Sequence, residues 1–239
     1  MHASTRVNPA ALSPTLQSLF PKGAVAAELR APGAAALLMP EEAVSVANAV
    51  PKRVQEFAGG RLCARRALAE VGITDFPVRM ATDRRPVWPE SIVGSITHTQ
   101  GLCAAVIAER ARIIALGLDT EAVGAVKEHL WPSICGAAER SWIESLPADT
   151  RGAAAAFIFC AKEAFYKCQY PLVAEPLGFH DVCVTAVGWG ASAGVFEVLP
   201  TRPLVFDRAR SPLRAPPPLI GSYRLHEQFV SAGVSLSMD

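Results

Sequence analysis

The strongest constraint on the fold of this chain is a hydrophobic period that changes twice along the sequence. Apolar residues recur at helical spacing over residues 52–71 and are followed by short apolar or β-branched runs. A later helical region over residues 151–169 is also followed by such runs. The first group of runs covers residues 78–81, 93–99, 102–108 and 113–118, and the second covers 182–187, 195–199 and 234–236. This order predicts an α+β fold with two similar halves.

Punctuating residues divide the chain into three parts. An early helical element begins near Glu41, Pro51 restarts it, and Gly72 ends it. Another helix is predicted over residues 132–146, and the last three runs of the first group are predicted to be neighbouring antiparallel strands. We expect an irregular segment over residues 1–40 with one strand around residues 24–29, an N-terminal half over 41–118 and a C-terminal half over 119–239. A proline loop at residues 216–218 divides the last runs.

Composition excludes several classes of protein. The chain has 239 residues, of which 51% are hydrophobic and 19% charged, so it can bury a core and is not intrinsically disordered. A net charge of +1 argues against a bulk nucleic-acid binder. No apolar run approaches the ~20 residues that span a bilayer, and the N-terminus lacks a signal-like apolar segment, so we expect a cytoplasmic protein. The six widely spaced cysteines are expected to be buried free thiols.

The sharpest local motif is Gly-Leu-Asp-Thr-Glu at residues 117–121, at the end of an apolar strand. Side chains alternate along a strand, so Asp119 and Glu121 project to the same face. Two partly buried carboxylates repel each other unless one takes a proton or a cation lies between them, and oxygen ligands favour Mg²⁺ or Mn²⁺. The alternative is a pair of solvated acids at the start of a loop.

A second motif lies in the helix over residues 151–169. Phe159, Glu163 and Lys167 recur every four residues along one stripe, with Lys162 about 100° away. One interpretation is a surface ion pair between Glu163 and Lys167, worth about 0.3 to 0.5 kcal/mol. The surrounding residues are almost entirely apolar, however, and a buried helix with two lysines and a glutamate requires charged partners.

Basic residues form a third group. Arg53, Arg61 and Arg65 share one stripe of the first long helix, which could hold a phosphate or simply face solvent. His98 follows Gly-Ser-Ile-Thr in a predicted strand, where the hydroxyls at positions 95, 97 and 99 lie on the face opposite Ile96 and His98. A lone histidine on a strand is usually structural.

Together these motifs resemble the 4′-phosphopantetheinyl transferase superfamily, in its longer single-chain form that activates carrier proteins of siderophore, polyketide, nonribosomal peptide and fatty acid synthesis. The resemblance rests on residues 94–98 (G-S-[IL]-[ST]-H), 117–121 (G-[IV]-D-x-E) and 159–167 ([WF]-x-x-K-E-[AS]-x-x-K), in that order. Pro86-x-Trp88-Pro89 and Tyr170-Pro171-Leu172 are also similar to that family. Arg84-Arg85-Pro86 departs from its Gly-Lys-Pro or Gly-Glu-Pro pattern, which leaves the role of Arg85 open.

The resemblance implies a monomer with a pseudo-twofold axis, whose halves meet near residue 118 with coenzyme A and Mg²⁺ (or Mn²⁺) between them. It implies metal ligation by Asp119, Glu121 and Glu163. It also implies that phosphates are contacted by His98, Lys162 and Arg61, with Arg53 and Arg85 at the 3′-phosphate or adenine end and a hydroxyl donated by Thr97. The carriers are apo acyl, aryl or peptidyl carrier proteins, and neither nucleic acid nor membrane is a partner.

The implied reaction is attack of a carrier serine on the β-phosphate of coenzyme A, with release of 3′,5′-adenosine bisphosphate. Glu163 is the expected base, directly or through a water held by the metal, Lys167 stabilises the leaving oxygen, and His98 completes the expected catalytic set. Two alternatives remain at this point: a metal-dependent phosphohydrolase of nucleotides like coenzyme A, and a non-catalytic module that binds coenzyme A or a carrier.

Overall fold

The computed structural model describes residues 10–173, 175–205 and 219–237. The strands are β1 (Ala11–Leu12), β2 (Val25–Leu29), β3 (Ile92–Thr99), β4 (Leu102–Glu109), β5 (Ile113–Ala122), β6 (Val182–Val187), β7 (Ala193–Pro200), β8 (Leu219–His226) and β9 (Phe229–Ser237). The α-helices are α1 (Pro14–Gln17), α2 (Pro40–Ala43), α3 (Pro51–Glu70), α4 (Trp131–Ile134), α5 (Ala137–Ser145) and α6 (Ala148–Val173). Short 3₁₀ helices cover Ala35–Leu37, Val44–Val46, Glu128–Leu130 and Phe179–Asp181.

These strands form two antiparallel sheets, and each sheet carries one long helix. The first sheet has the order β1-β2-β4-β3, and α3 packs on it. The second has the order β5-β9-β8-β7-β6, and α6 packs on it. The mixture of helices and antiparallel sheets agrees with the predicted α+β class.

Small residues let each helix approach its sheet closely. In α3, a Cβ atom at Gly60 would lie 2.7 Å from the Ile96 side chain of β3. In β5, a Cβ atom at Gly117 would lie 1.9 Å from the carbonyl oxygen of Ala164 in α6. Since 1.9 Å is far inside van der Waals contact, the glycine of the Gly-Leu-Asp-Thr-Glu motif is what brings β5 and α6 together.

The predicted arrangement of the central strands is wrong in one respect. β3 and β4 pair as expected, but β5 leaves their sheet and pairs with β9 from Ile113 to Ala122. The distant strand pairs along nearly the whole length of β5, satisfies the backbone groups on that side and joins two apolar strands. β5 therefore lies at the edge of the second sheet, beside β3 at the edge of the first.

Other elements differ in extent. The helix predicted near Glu41 is only α2 and a 3₁₀ turn, residues 78–81 form a single bridge between Met80 and Pro86, and residues 132–146 divide into α4 and α5. β2 confirms the strand predicted in the first segment, whereas β1 and β8 were not predicted. The domain limits stay a prediction, and β5 runs through the 118/119 border. Residues 1–9 and the proline loop at 216–218 lie outside the described residues.

The first segment also joins the two sheets. A Cβ atom at Gly233 of β9 would lie 2.8 Å from both Leu19 and Phe20, which follow α1. Within the described ranges no helix combines the length and apolarity needed to cross a membrane. Five of the six cysteines are buried free thiols, as predicted, and Cys183 is half-buried.

Candidate active site

A cleft of about 1060 Å³ lies where β3 meets β5, bordered by α6 and by the segment before β3. All but one of the side chains singled out as site residues from the sequence line this cleft. They are Arg53, Arg61, Arg85, Thr97, His98, Asp119, Glu121, Glu163 and Lys167. The exception is Lys162.

The acids reach the cleft from two elements. Asp119 and Glu121 project from the same side of β5, as strand alternation predicts. Glu163 and Lys167 project from one face of α6, together with Phe159. The close approach at Gly117 brings Lys167 Nζ to 2.7 Å from Asp119 Oδ1 and 3.2 Å from the Leu118 carbonyl oxygen.

Hydroxyls of β3 hold the acids of β5. Thr97 Oγ1 donates to Asp119 Oδ1 at 2.8 Å and accepts from Thr120 N at 3.2 Å, while Thr99 Oγ1 donates to Glu121 Oε2 at 2.7 Å. The single hydroxyl hydrogen of Thr97 is therefore taken by Asp119, which corrects the expectation that Thr97 donates to a phosphate. Asp119 Oδ2 is buried and has no hydrogen-bond partner among the described residues.

Burial and mutual repulsion shift the ionisation of these groups. Burial, together with the charges of Asp119 and Glu163, raises the pKa of Glu121 to about 7. Burial raises the pKa of Glu163, and Asp119 adds to this shift while Lys167 opposes it. Burial alone would lower the pKa of Lys167, but the Asp119 carboxylate outweighs it and the pKa rises. The side of the cleft formed by β5 and α6 thus places three acids beside one ammonium group.

This donor set fits a hard divalent cation. Three carboxylates face one cleft, one of their oxygens is buried without a partner, and the pKa of Glu121 is raised as expected for an acid that lacks a counter-charge. Across residues 10–173, 175–205 and 219–237, however, no three His, Cys, Asp or Glu side chains are placed as a ready metal site. Ligation by Asp119, Glu121 and Glu163 accordingly stays a prediction.

Helix α3, which packs on the first sheet, contributes cations. Arg53 Nη1 lies 2.9 Å from His98 Nε2, and burial lowers the pKa of His98. Since a guanidinium only donates, Nε2 is the acceptor and the ring proton lies on Nδ1, which is 3.7 Å from Glu56 Oε2. Neutral His98 therefore orients Arg53 in the cleft.

Arg61 is the most buried arginine of the cleft. It is 6% exposed, its guanidinium lies 3.9 Å from the Phe57 ring centroid, and its Nε donates to the Val78 carbonyl at 2.8 Å. Burial lowers the pKa of Arg61 to about 10. No carboxylate in the described part of the chain forms an ion pair with it, so its terminal nitrogens are available for an anion.

Arg65 and Arg85 have acidic partners. Arg65 turns away from the cleft to the buried Glu42, so the predicted arginine stripe divides. Arg85 pairs with Asp83 at 2.7 Å and lies 5.4 Å from the Tyr170 ring centroid.

The structure places Lys162 outside the cleft. Its ammonium donates to Glu139 Oε2 at 2.7 Å and to the carbonyl oxygens of Ile134 and Phe179 at 2.9 and 2.8 Å. All three of its hydrogens are used in a buried site beside a separate cavity of about 170 Å³. We therefore assign Lys162 a structural role in place of the phosphate contact predicted for it.

Two residues that line the cleft, Tyr166 and Arg84, and one that bonds to a cleft acid, Thr99, were missed as site residues. Tyr166 follows Glu163 by three residues, so helical spacing could have found it. Thr99 shares the strand face of Thr97, although which element it faces is not encoded in that pattern. Arg84 carries no signal except the family position noted above, where glycine is usual.

Arg84 has a φ of 70°, in the left-handed region that favours glycine, at the bulge that ends the turn over residues 81–85. Replacing it with glycine is expected to raise the free energy of unfolding by about 0.5 to 1 kcal/mol, because the relieved strain exceeds the added freedom of the unfolded chain. Urea unfolding measures this, with Arg79→Gly as the control at an exposed arginine of ordinary φ. A loss of stability in Arg84→Gly as large as that in the control would contradict the expectation.

Two family models match most of the chain that contains this site. A family model described as the 4′-phosphopantetheinyl transferase N-terminal domain matches residues 40–108, and one described as the 4′-phosphopantetheinyl transferase superfamily matches residues 115–202. The chain is 35% identical to the 4′-phosphopantetheinyl transferase Npt of Nocardia iowensis over 170 residues, 71% of this chain and 76% of the relative. It is 38% identical to the transferase Svp of Streptomyces mobaraensis over 173 residues, 72% of this chain and 70% of the relative. It is 36% identical to PptT of Mycobacterium tuberculosis over 156 residues, 63% of this chain and 68% of the relative.

Proposed function

This chain belongs to the 4′-phosphopantetheinyl transferase superfamily, and on that premise we propose that its cleft moves phosphopantetheine from coenzyme A to a serine of an apo carrier protein. The observation that supports this most is the charge distribution of the cleft. Arg53 and Arg61 of α3 line one side of it, Arg61 without an ion pair among the described residues, and three acids with one ammonium line the side formed by β5 and α6. Coenzyme A requires cations for its 3′-phosphate and pyrophosphate, and a reacting centre at the β-phosphate, where the long uncharged arm begins.

The reaction forms a bond between the serine oxygen and the β-phosphorus and breaks the bond from that phosphorus to the bridging oxygen. The serine proton passes to a base, and 3′,5′-adenosine bisphosphate leaves. Glu163 is the base we propose, because its raised pKa makes it a better proton acceptor than an ordinary glutamate. Lys167 uses two hydrogens on Asp119 and Leu118 and keeps one for the leaving oxygen.

Arg61 and Arg53 bind the phosphates in this proposal. Arg61 presents its terminal nitrogens from a rigid seat on Phe57 and Val78, which reduces the entropy lost on binding. His98 was expected to contact the phosphates itself and to act in catalysis; because its Nε2 accepts from Arg53, we propose instead that it acts through that guanidinium. Arg85, held by Asp83 and Tyr170, lies at the adenine end.

A divalent cation, Mg²⁺ or Mn²⁺, would be held by Asp119, Glu121 and Glu163. When bound it supplies charge neutralisation to the pyrophosphate. Two observations support this cation site: Asp119 Oδ2 has no hydrogen-bond partner among the described residues, and the pKa values of Glu121 and Glu163 are raised.

Mass spectrometry of an apo carrier protein after incubation with coenzyme A and Mg²⁺ tests the function. A gain of the phosphopantetheine mass is expected, and no gain with acyl, aryl and peptidyl carriers alike would overturn the proposal. Release of adenosine bisphosphate without a carrier would indicate a phosphohydrolase instead. Binding of coenzyme A without any turnover would indicate a binding module.

Arg61→Gln is expected to raise the KM for coenzyme A by about 10- to 100-fold, because a charge-assisted hydrogen bond contributes about 1.5 to 3 kcal/mol. The kcat should change much less, since binding of the phosphates precedes the chemical step. Steady-state kinetics with a saturating carrier measure both values. Arg66→Gln, at the exposed ion pair with Glu70, is the control. A KM that stays within a factor of two would remove Arg61 from the phosphate site.

Several finer expectations stay predictions. The presence of one long helix on one antiparallel sheet in each half supports the pseudo-twofold relation. The monomeric state is tested by light scattering and the cytoplasmic location by fractionation. A panel of carriers from fatty acid, polyketide, siderophore and peptide synthesis would identify the substrate.

A further inference from the structure

We infer that Thr97 and Thr99 are positioning residues that fix the carboxylates of Asp119 and Glu121, so that each acid presents one oxygen to a divalent cation. The inference rests on the proposed function, because the cation belongs to it. It adds that the first half of the chain sets the geometry of acids that the second half carries.

The edges of the two sheets meet through side chains. β5 is an edge strand, so its outer N–H groups need acceptors from outside its sheet. Ser95 Oγ accepts from Leu118 N at 3.1 Å, and Thr97 Oγ1 accepts from Thr120 N at 3.2 Å. Both bonds join residues 23 positions apart, so β3 and β5 run in the same direction. Hydroxyls of β3 thus replace the carbonyls of a neighbouring strand.

Two of these hydroxyls continue to the carboxylates. Thr97 holds Asp119 Oδ1 at 2.8 Å, and Thr99 holds Glu121 Oε2 at 2.7 Å. The second oxygen of each acid accepts no hydrogen bond from the residues that the structure describes, and Asp119 Oδ2 is also buried. The same pattern therefore occurs twice: one oxygen is held by a threonine and the other is left for a ligand.

The bond to the backbone gives Thr97 its precision. Its oxygen accepts from the amide of Thr120, and its hydrogen goes to Asp119. Both contacts together fix the χ1 angle of Thr97, and the donated bond fixes the rotation of the carboxylate. Lys167 donates to the same Oδ1 at 2.7 Å, which adds a second restraint. A shift of β3 along β5 would accordingly move the acids.

The test compares Thr97→Val and Thr99→Val, which remove the hydroxyl at nearly constant volume, with Thr97→Ser, which restores it. Ser95→Ala is the matched control, because the Ser95 hydroxyl lies on the same face of β3 but bonds only to the backbone of Leu118. Mn²⁺ affinity is measured by electron paramagnetic resonance with the metal alone and with coenzyme A, and urea unfolding is measured on the same samples.

The Mn²⁺ affinity of each valine variant is expected to fall by about 10- to 100-fold, as is typical when a partner of a metal ligand is removed. Thr97→Ser should recover most of this loss, and Ser95→Ala should lose stability with little change in Mn²⁺ affinity. If Thr97→Val does not fold, the Mn²⁺ affinity of Thr99→Val, at the end of the strand, tests the inference.

Unchanged Mn²⁺ affinity in the folded valine variants would overturn the inference while leaving the proposed function intact. An equal loss of affinity in Ser95→Ala would also overturn it, because general loosening of the junction would then explain the effect. No Mn²⁺ binding by the unsubstituted protein with coenzyme A would instead overturn the proposed metal site itself, and the inference with it.

Discussion

Asp119→Asn is expected to lower the kcat for phosphopantetheine transfer by about 10³-fold, or roughly 4 kcal/mol of transition-state stabilisation. Asp119 is 5% exposed, bonds to Thr97 and Lys167 through Oδ1, and has Oδ2 without a partner. Asparagine keeps the volume but replaces one oxygen with a donor and removes the charge. A bound cation would therefore lose one ligand, and Lys167 would lose its counter-charge.

The rate is measured with saturating coenzyme A and carrier, and the urea midpoint of the same sample separates loss of function from loss of fold. Glu197→Gln is the matched control, because it makes the same chemical change at an exposed position of β7. Retention of more than about a tenth of the rate in Asp119→Asn would remove Asp119 from the reacting centre.

Glu139→Ala is expected to lower the free energy of unfolding by about 3 to 5 kcal/mol, the usual cost of leaving one member of a buried ion pair alone. The side chains of Glu139 and Lys162 are both 2% exposed and lie 2.7 Å apart. Glu139 also accepts from Gly136 N at 2.6 Å and from Val184 N at 2.8 Å. Alanine would leave a buried ammonium and two backbone donors without this acceptor.

Urea unfolding of Lys162→Met, Glu139→Ala and the double variant measures both this loss and the coupling between the two groups. Because the pair is buried, the double variant should be less destabilised than the sum of the single changes. One result would restore the original prediction that Lys162 contacts a phosphate. In that case Lys162→Met would raise the KM for coenzyme A at least tenfold and leave the free energy of unfolding unchanged.

Local periodicity was sufficient for part of this site. Alternation on a strand placed Asp119 and Glu121 on one side, and the stripe of Glu163 and Lys167 on α6 lines the cleft as predicted. The same helical geometry placed Lys162 about 100° from that stripe, and in the structure it faces Glu139. Its assignment to the phosphates came from the motif, which does not distinguish a residue that binds ligand from one that supports the helix.

Contacts between distant elements could not be predicted from hydrophobic periodicity or secondary-structure propensity. The turn at residues 110–112 favours a hairpin of β4 and β5, but pairing of β5 with β9 depends on a strand more than a hundred positions away. The alternation of hydroxyls on β3 was visible in the sequence, yet their partners on β5 follow only from how the sheets meet. Likewise, Arg65 was grouped with Arg61 by spacing, and only the fold shows its pairing with Glu42.

The pairing of β5 with the last strand also has a consequence for biosynthesis. Asp119 lies opposite Ala232, so the ribosome must add more than a hundred further residues before the strand that carries the acids has its partner. The first sheet can assemble earlier, because its strands all lie before residue 110. Until β9 emerges, β5 is an apolar strand with an unpaired edge, the kind of segment that chaperones protect. The reactive centre can therefore be completed only after β9 has been synthesised.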